Sequence, residues 1–274
     1  MSNNPEIVNN IQTGSFKTNY HDVGTGDPLL LIHGSGPGVT AWANWRGVIP
    51  VFSEGFRVIA PDMAGFGYTE RVEGFEYCIE NWVQHTVDLL DALNTEKAHL
   101  IGNSFGGAIA LALAIKHPQR VNRLVLMGAA GVHFELTPGL DKVWGYEPSV
   151  ENMRGMMDLF AYDRDIVTDE LAQMRYEVSI QPGFQETFSQ MFPAPRQRFV
   201  DALASKPDDI KNIQHETLIF HGREDTILPQ STSTTLFDLI PNSQLHMFGK
   251  CGHWTQIEHS ARFIQQVMNF LSES

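Results

Sequence analysis

The sequence has little cysteine. There are two, Cys78 and Cys251, and no CxxC pair. That excludes a disulfide framework and a structural zinc site, and it suits a reducing cytoplasm. Positive charge is also scarce, with 19 Lys+Arg against 32 Asp+Glu. This excess of acid excludes nucleic acid and an anionic membrane surface as partners. An anionic ligand would have to be held by local cations, not by the overall field. No apolar run approaches the ~20 residues of a membrane span. The start, Met-Ser-Asn-Asn-Pro-Glu-Ile, has no basic n-region and no apolar h-region, so no secretory signal is read. No internal repeat or low-complexity segment is visible. No His, Cys, Asp or Glu cluster has ligand spacing, so neither a metal nor a cofactor is expected. What is present is 274 residues with 42% apolar content, enough for one large α/β domain or a domain with an insertion.

Leu100-Ile101-Gly102-Asn103-Ser104-Phe105-Gly106-Gly107 organises the chain. It reads as a buried strand, Gly-x-Ser-x-Gly, and the start of a small-residue helix. In that context the pattern is a nucleophile elbow, with the serine on a tight strand-to-helix turn. Gly102 and Gly106 leave room for the turn, and the helix N-terminus favours negative charge beside Ser104. Lys97–Ile101 supplies the strand and Gly107–Lys116 the helix.

Residues 1 to 14 are polar and expected to fray. Phe16–Val23 reads as a strand of an edge hairpin. Pro28–Ile32, Phe56–Ala60 and Arg123–Met127 are short apolar runs of the kind buried on both faces of a parallel sheet. The first of these opens into His33-Gly34-Ser35-Gly36-Pro37-Gly38. In a serine hydrolase that loop supplies one backbone N–H of the oxyanion hole, and the residue after the nucleophile supplies the other. Those donors are assigned to Ser35 and Phe105. His33 is expected to hold the loop's backbone. A phosphate loop is disfavoured by the missing Lys and Ser/Thr. Ala41–Val51 reads as one helix, carrying Trp42, Asn44 and Trp45. Tyr77–Leu93 keeps helical spacing. Asp62 is expected to tie down its own loop through nearby N–H groups.

The strand–helix rhythm stops at 132 and resumes at 210. The intervening block contains amphipathic stretches, with Val150, Met153, Met157 and Phe160 on one helical face. It must lie outside the sheet, and a helical cap over the strands' carboxyl ends is the simplest place for it. The expected domains are therefore a core of 1–131 with 210–274, and a cap of 132–209. In the cap Thr168 is a candidate N-cap ahead of Asp169 and Glu170. Leu171, Arg175 and Val178 fall on one face. Arg175 either snorkels to solvent or meets a substrate carboxylate with two parallel hydrogen bonds; spacing leaves both open.

Thr217–Phe220 returns to the sheet and runs into His221-Gly222-Arg223-Glu224-Asp225. Asp225 is placed to orient a histidine, while alternation turns Glu224 the other way. Gln244–Phe248 is the last strand. His253 follows in a Gly-x-His loop before the final helix. Ser104, Asp225 and His253 occur in the Ser…Asp…His order of α/β-hydrolases. His221 is expected to orient nearby loops.

These residues resemble the meta-cleavage product hydrolases, carbon–carbon bond hydrolases on the α/β-hydrolase fold. The resemblance rests on 33–38, Trp-Ala-Asn-Trp-Arg (42–46), Gly-Asn-Ser-Phe-Gly-Gly (102–107), His-Gly-Arg-Glu-Asp (221–225) and Cys-Gly-His-Trp (251–254). It extends into the cap at 143–146, 161–164 and 191–193. It implies a mostly parallel sheet with helices on both faces and a cap inserted after the sixth strand. It implies cleavage of 2-hydroxy-6-oxohexa-2,4-dienoates to 2-hydroxypenta-2,4-dienoate and a carboxylic acid. It also implies that Arg175 and Trp254 meet the carboxylate and 2-oxygen end, with Asn44 and Asn103 beside them. Phe105 after the serine resembles the branch acting on products of monocyclic aromatics, hence a small 6-substituent. A cytoplasmic homo-oligomer is implied as well. Two chemical routes stay open, an acyl-enzyme on Ser104 or a gem-diol formed by serine-activated water. The competing classes are a carboxylesterase with the same triad and a non-catalytic ligand receptor on the same fold.

Overall fold

The computed structural model describes residues 4–273. Among them an eight-stranded sheet runs in the order β1-β2-β4-β3-β5-β6-β7-β8. The strands are β1 (Asn9–Thr13), β2 (Phe16–Val23), β3 (Asp27–Ile32), β4 (Phe56–Pro61), β5 (Ala98–Asn103), β6 (Val121–Met127), β7 (Thr217–Gly222) and β8 (Ser243–Phe248). β1 and β2 pair antiparallel, and β2 joins β4 antiparallel. From β4 onward every pair is parallel. The polar stretch expected to fray is therefore ordered from Asn9 to Thr13. Its inward positions are Asn9, Ile11 and Thr13; Ile11 packs against the core and Thr13 is bonded to Thr18. A hairpin ladder satisfies the backbone with a single apolar residue facing inward, which is too little for periodicity to detect.

Alternation along each central strand feeds two cores. Leu30, Ile32, Leu100, Leu124, Leu126 and Ile219 face one side. Leu29, Leu31, Ile101, Val125, Leu218 and Phe220 face the other. Against the first side lie α3 (Ile79–Ala92) and α4 (Phe105–Lys116), through Trp82, Leu89, Ala108 and Ile109. α4 is buried from Phe105 to Ala114, so its run of alanine and glycine is what lets it lie close to the strands.

The second side is covered by α1 (Ala41–Trp45) and α2 (Ile49–Phe52), with more of the cover coming from the C-terminal end of the chain. The single helix expected over Ala41–Val51 is thus two. Pro50 has no N–H for the Arg46 carbonyl and its ring would strike it, so the chain turns between Trp45 and Ile49.

Between β6 and β7 lie α5 (Pro138–Trp144), α6 (Val150–Phe160), α7 (Asp169–Ser179), α8 (Phe184–Met191), α9 (Gln197–Leu203) and α10 (Pro207–Lys211). Side-chain caps start the first three: Thr137 accepts from Leu140 N, Ser149 from Asn152 N and Thr168 from Leu171 N. On α6, Met153, Met156, Met157 and Phe160 are buried. Val150, expected on that face, is 36% exposed at the helix start. After β7 come α11 (Ser231–Leu239), α12 (Thr255–Glu258) and α13 (Ser260–Ser272). Phe263 and Val267 of α13 complete the second core.

A Cβ on Gly106 would overlap the Ile32 carbonyl, whereas one on Gly47 meets nothing within 4 Å. Gly106→Ala should cost about 3 kcal/mol, and Gly47→Ala should stay within about 0.5 kcal/mol of wild type. Urea midpoints of the two variants check the contrast.

Candidate active site

β5 ends in Asn103, and Ser104 adopts φ 54°, ψ −116° before α4 begins. A non-glycine residue held there is strained, and strain of this kind persists only where surrounding contacts fix it. The fixing contacts are visible. Ser104 N–H donates to the Met127 carbonyl at 2.9 Å, while Ala130 N–H donates to the Ser104 carbonyl at 3.0 Å. A Cβ on Gly102 would strike the Gly106 backbone. Phe105 opens α4, so its N–H has no intrahelical acceptor.

The loop after β3 runs against this turn. A Cβ on Gly34 would lie 3.0 Å from Asn103 Oδ1 and 3.3 Å from Ser104 Cβ. His33 Nδ1–H donates to the Gly34 carbonyl at 2.8 Å, and its Nε2 accepts from Met63 N–H at 2.9 Å. Burial holds its pKa down to about 4, despite the opposing bond to Gly34. His33 therefore fixes the loop as a neutral ring. Ser35 Oγ accepts from Trp144 Nε1 at 3.0 Å, so a tryptophan of α5 orients it. That tryptophan stacks on Phe192 with centroids 4.4 Å apart.

Asp62, as expected, secures its surroundings. Its oxygens accept from Ala41 N–H at 2.6 Å, Tyr68 N–H at 2.8 Å and Asn19 Nδ2 at 2.8 Å. Burial still raises its carboxyl to about 6 against those bonds.

Asp225 and His253 come together across 28 positions. His253 Nδ1–H donates to Asp225 Oδ2 at 2.7 Å. Asp225 Oδ1 accepts from Ile227 and Leu228 N–H at 2.8 and 3.0 Å. Burial pushes the Asp225 carboxyl up, but the charge and hydrogen bond of His253, then His221 and Leu228, outweigh it. The net is a carboxyl below its ordinary value. Glu224 points away, bonding Arg223 and Cys251 N–H. His221 Nε2 lies 3.5 Å from Asp225 Oδ2, and its Nδ1 accepts from Ser233 at 2.7 Å.

Ser104, His253, Ser35, Asn44, Asn103, Arg175 and Trp254 all line one cavity of about 230 Å³. Met153, Met156, Met157 and Phe160 of α6 form its apolar roof. Trp254 is stacked on Phe160 at 5.2 Å. Asn103 Nδ2 donates to the Met127 carbonyl at 3.3 Å. Asn44 Oδ1 accepts from Gly34 N–H at 3.3 Å, and its Nδ2 is buried without a partner among the described residues. Arg175 neither snorkels nor stands free. It is 7% exposed, pairs with Glu6 at 2.7 Å and donates to the Gly38 carbonyl. On the other side of Ser35 and Ser104 lies a second, smaller pocket of about 10 Å³. Ala130, Phe134, Leu140, Trp144, Val200, Leu203 and Leu228 make it apolar.

Sequence reasoning missed Glu6, Trp144 and Gln256. Gln256 lines the cavity and donates to the Asn44 carbonyl at 3.3 Å. Trp144 stood in a cap motif with no role attached, and Glu6 stood in a stretch expected to fray. Among the described residues no group of three or more His, Cys, Asp or Glu is placed to hold a metal. No helix among them is long and apolar enough to cross a membrane.

A nucleophile-elbow serine, a carboxylate-bound histidine and a roofed cavity at the carboxyl ends of a parallel sheet define a hydrolase-type site. The alpha/beta hydrolase fold family matches residues 27–260. The 2-hydroxy-6-oxo-2,4-heptadienoate hydrolase of Pseudomonas putida is 61% identical, covering 98% of each chain. The 2-hydroxymuconate semialdehyde hydrolase of a Pseudomonas strain is also 61% identical, covering 99% of this chain and 96% of that one. A solved serine-to-alanine variant of the meta-cleavage product hydrolase of Pseudomonas fluorescens superposes with a TM-score of 0.97 at 59% identity, covering 98% of each chain. The chain therefore belongs to the alpha/beta hydrolases, and among them to the meta-cleavage product hydrolases.

The buried histidines set a dependence on pH. Burial, then the neighbouring His33, holds His85 at about 4 against an ordinary 6.5, and His33 behaves alike. Between pH 6.5 and about 4 the unfolded chain binds protons that these folded rings refuse, so stability falls as pH falls. Asp62 opposes this, because its folded value of about 6 exceeds 3.8 and acid stabilises it across that window. Two rings outweigh one carboxyl. Each tenfold change in proton affinity is worth about 1.4 kcal/mol, so the net loss is a few kcal/mol. Urea midpoints taken from pH 7.5 down to about 4.5 should fall steadily; a flat profile would contradict the neutral rings.

Proposed function

We propose that the chain is a serine-dependent carbon–carbon bond hydrolase. Its substrates are 2-hydroxy-6-oxohexa-2,4-dienoates bearing hydrogen, methyl or a short alkyl at C6. The products are 2-hydroxypenta-2,4-dienoate and a small carboxylic acid. The observation that carries the reading is the pair of pockets meeting at Ser104, one large and bordered by Arg175, one small and apolar.

The dienoate fills the 230 Å³ cavity with its carboxylate and 2-oxygen towards Arg175, Trp254, Asn44 and Asn103. The 6-carbonyl then lies beside Ser104, and its substituent enters the smaller pocket. About 10 Å³ is room for a water-sized group. Hydrogen or methyl fits; phenyl would have to displace Trp144, Leu140 or Phe134. The two relatives named for a semialdehyde and a heptadienoate support a small group.

Carbon is a poor leaving group unless its electrons have somewhere to go. Moving a proton to C5 ketonises the dienol, so the departing carbanion becomes a dienolate. His253, oriented by Asp225, moves that proton as general acid–base. Ser104 then attacks the 6-carbonyl and passes its hydroxyl proton to His253, which returns it to the departing dienolate. The N–H groups of Ser35 and Phe105 hold the oxyanion; one such donor is typically worth ~10²–10³ in rate. The bond breaks, leaving an acyl group on Ser104, and water activated by His253 releases the acid. The ionised Asp225 holds Nδ1–H, which leaves Nε2 free to act.

We further propose a core of 1–131 with 210–274 and a cap of 132–209, the cap's methionine face excluding water from the chemistry. A homo-oligomer in the cytoplasm completes the reading and rests on the family resemblance.

Absorbance decay of the coloured dienolate tests it. The 6-hydrogen and 6-methyl substrates should turn over, with 6-phenyl roughly 10²-fold slower in kcat/KM. Ser104→Ala should lose at least about 10³-fold. Rapid quench should trap an acyl group on Ser104; its absence under burst conditions would favour the gem-diol route. Rapid cleavage of p-nitrophenyl acetate without dienolate decay would make the chain an esterase. Silence toward every substrate with the fold intact would make it a receptor.

Arg175→Ala should raise KM for the dienoates about tenfold or more, because a charge-assisted pair is lost. An unchanged KM would remove the carboxylate assignment.

A further inference from the structure

Arg175 sits in the cavity wall with its charge already paired. Its Nη1 donates to Glu6 Oε1 at 2.7 Å, and its Nη2 donates to the Gly38 carbonyl. Both side chains are buried, at 9% and 8% exposure. Glu6 lies ahead of the first strand, and Arg175 lies on α7, beyond the sixth. The Glu6 backbone is held in place on both sides, while Oε2 of its carboxylate is buried without a partner among the described residues. Asn19 of β2 donates through Nδ2 to the Glu6 carbonyl at 2.8 Å and also to Asp62 at 2.8 Å. Glu6 N–H donates to Asn4 Oδ1 at 3.0 Å. On the other side, α7 is pressed against Gly38: a Cβ there would lie 2.8 Å from Ser179 Cα.

Stability alone does not account for this pair. Taking two charges out of water costs several kcal/mol each, and apolar replacements of buried pairs are often neutral or better. Arg175 differs from an ordinary buried cation because one side of it borders the cavity. A long, flexible side chain there would otherwise have to be ordered at the moment of binding. An anionic partner in the wall removes that cost beforehand.

We propose that Glu6 is a positioning residue that holds the Arg175 guanidinium at the cavity wall in the orientation that receives the substrate carboxylate. It acts only through Arg175. The inference rests on the carboxylate reading of Arg175 above.

Three substitutions separate reach from charge. Glu6→Gln keeps an acceptor at the same distance. Glu6→Asp keeps the charge but withdraws it by one methylene. Glu6→Ala removes both. KM and kcat are measured with 2-hydroxymuconic semialdehyde, alongside Arg175→Ala and the Glu6→Ala/Arg175→Ala double variant.

Glu6→Ala and Glu6→Asp should raise KM about tenfold with kcat within about twofold, and Glu6→Gln should stay within about threefold of wild type. In the Arg175→Ala background Glu6→Ala should add nothing to KM, because the coupling partner is gone. If Glu6→Ala does not fold, the Asp and Gln variants decide, since each keeps a polar group in the site. Unchanged KM in the Glu6 variants with a raised KM in Arg175→Ala overturns the inference and leaves the carboxylate reading standing. Equal KM increases from Glu6→Ala with and without Arg175 overturn it as well. An unchanged KM in Arg175→Ala overturns both.

Discussion

The close approach of the β5–α4 turn to the neighbouring backbone is the constraint on which the site depends. Ser104 is held at φ 54° because Gly106 lets the turn lie on the Ile32 carbonyl and Gly102 lets it fold back on itself. That contact joins the turn to the loop after β3, and so sets Ser35 and Phe105 beside Ser104. The other side chains of the cavity are set around this turn. The strain is local and costs about 1–3 kcal/mol. It is offset by the central strands β3 to β7, whose leucines, isoleucines and valines are buried on both faces.

Polar knots carry the site outward from that point. Asp62 gathers Asn19, the start of α1 and Tyr68, so β2, the helix bearing Asn44 and the turn at Tyr68 are joined through one carboxylate. Asn19 passes the same connection to Glu6, and Glu6 passes it to α7. Trp144 makes a separate link from α5 to Ser35. The helices over the cavity are therefore tied to the rest of the chain at several polar points, the Phe160 carbonyl accepting from His253 N–H among them, while a methionine face leaves the roof itself deformable. A site that must close over a substrate and release two products needs both properties.

The histidines sort by environment. His33 and His85 are kept neutral by burial, which suits rings that hold backbone. His253 has an ionised carboxylate on Nδ1 and a cavity before it. His221 shares that carboxylate from the far side and is kept neutral chiefly by burial. Four rings with the same chemistry thus separate into three buried rings that hold structure and one that faces the cavity.

Much of this was already determined by the sequence. Two-faced apolar runs require a parallel sheet, Gly-x-Ser-x-Gly between strand and helix requires an elbow, and the spacing of Asp225 and His253 places both after strands. These are local patterns, enforced by steric contacts within a few residues. The tertiary structure alone decided contacts between distant segments of ordinary sequence. Glu6 and Arg175 are 169 positions apart, and Ser35 and Trp144 are 109 apart. A lone glutamate in a polar stretch carries no periodicity, and an arginine on a helix face is equally consistent with solvent or with a buried partner. Desolvation settles which, and desolvation is a property of the packed whole. The break at Pro50 lies between these cases, since its cause is local but was hidden by the helical spacing around it.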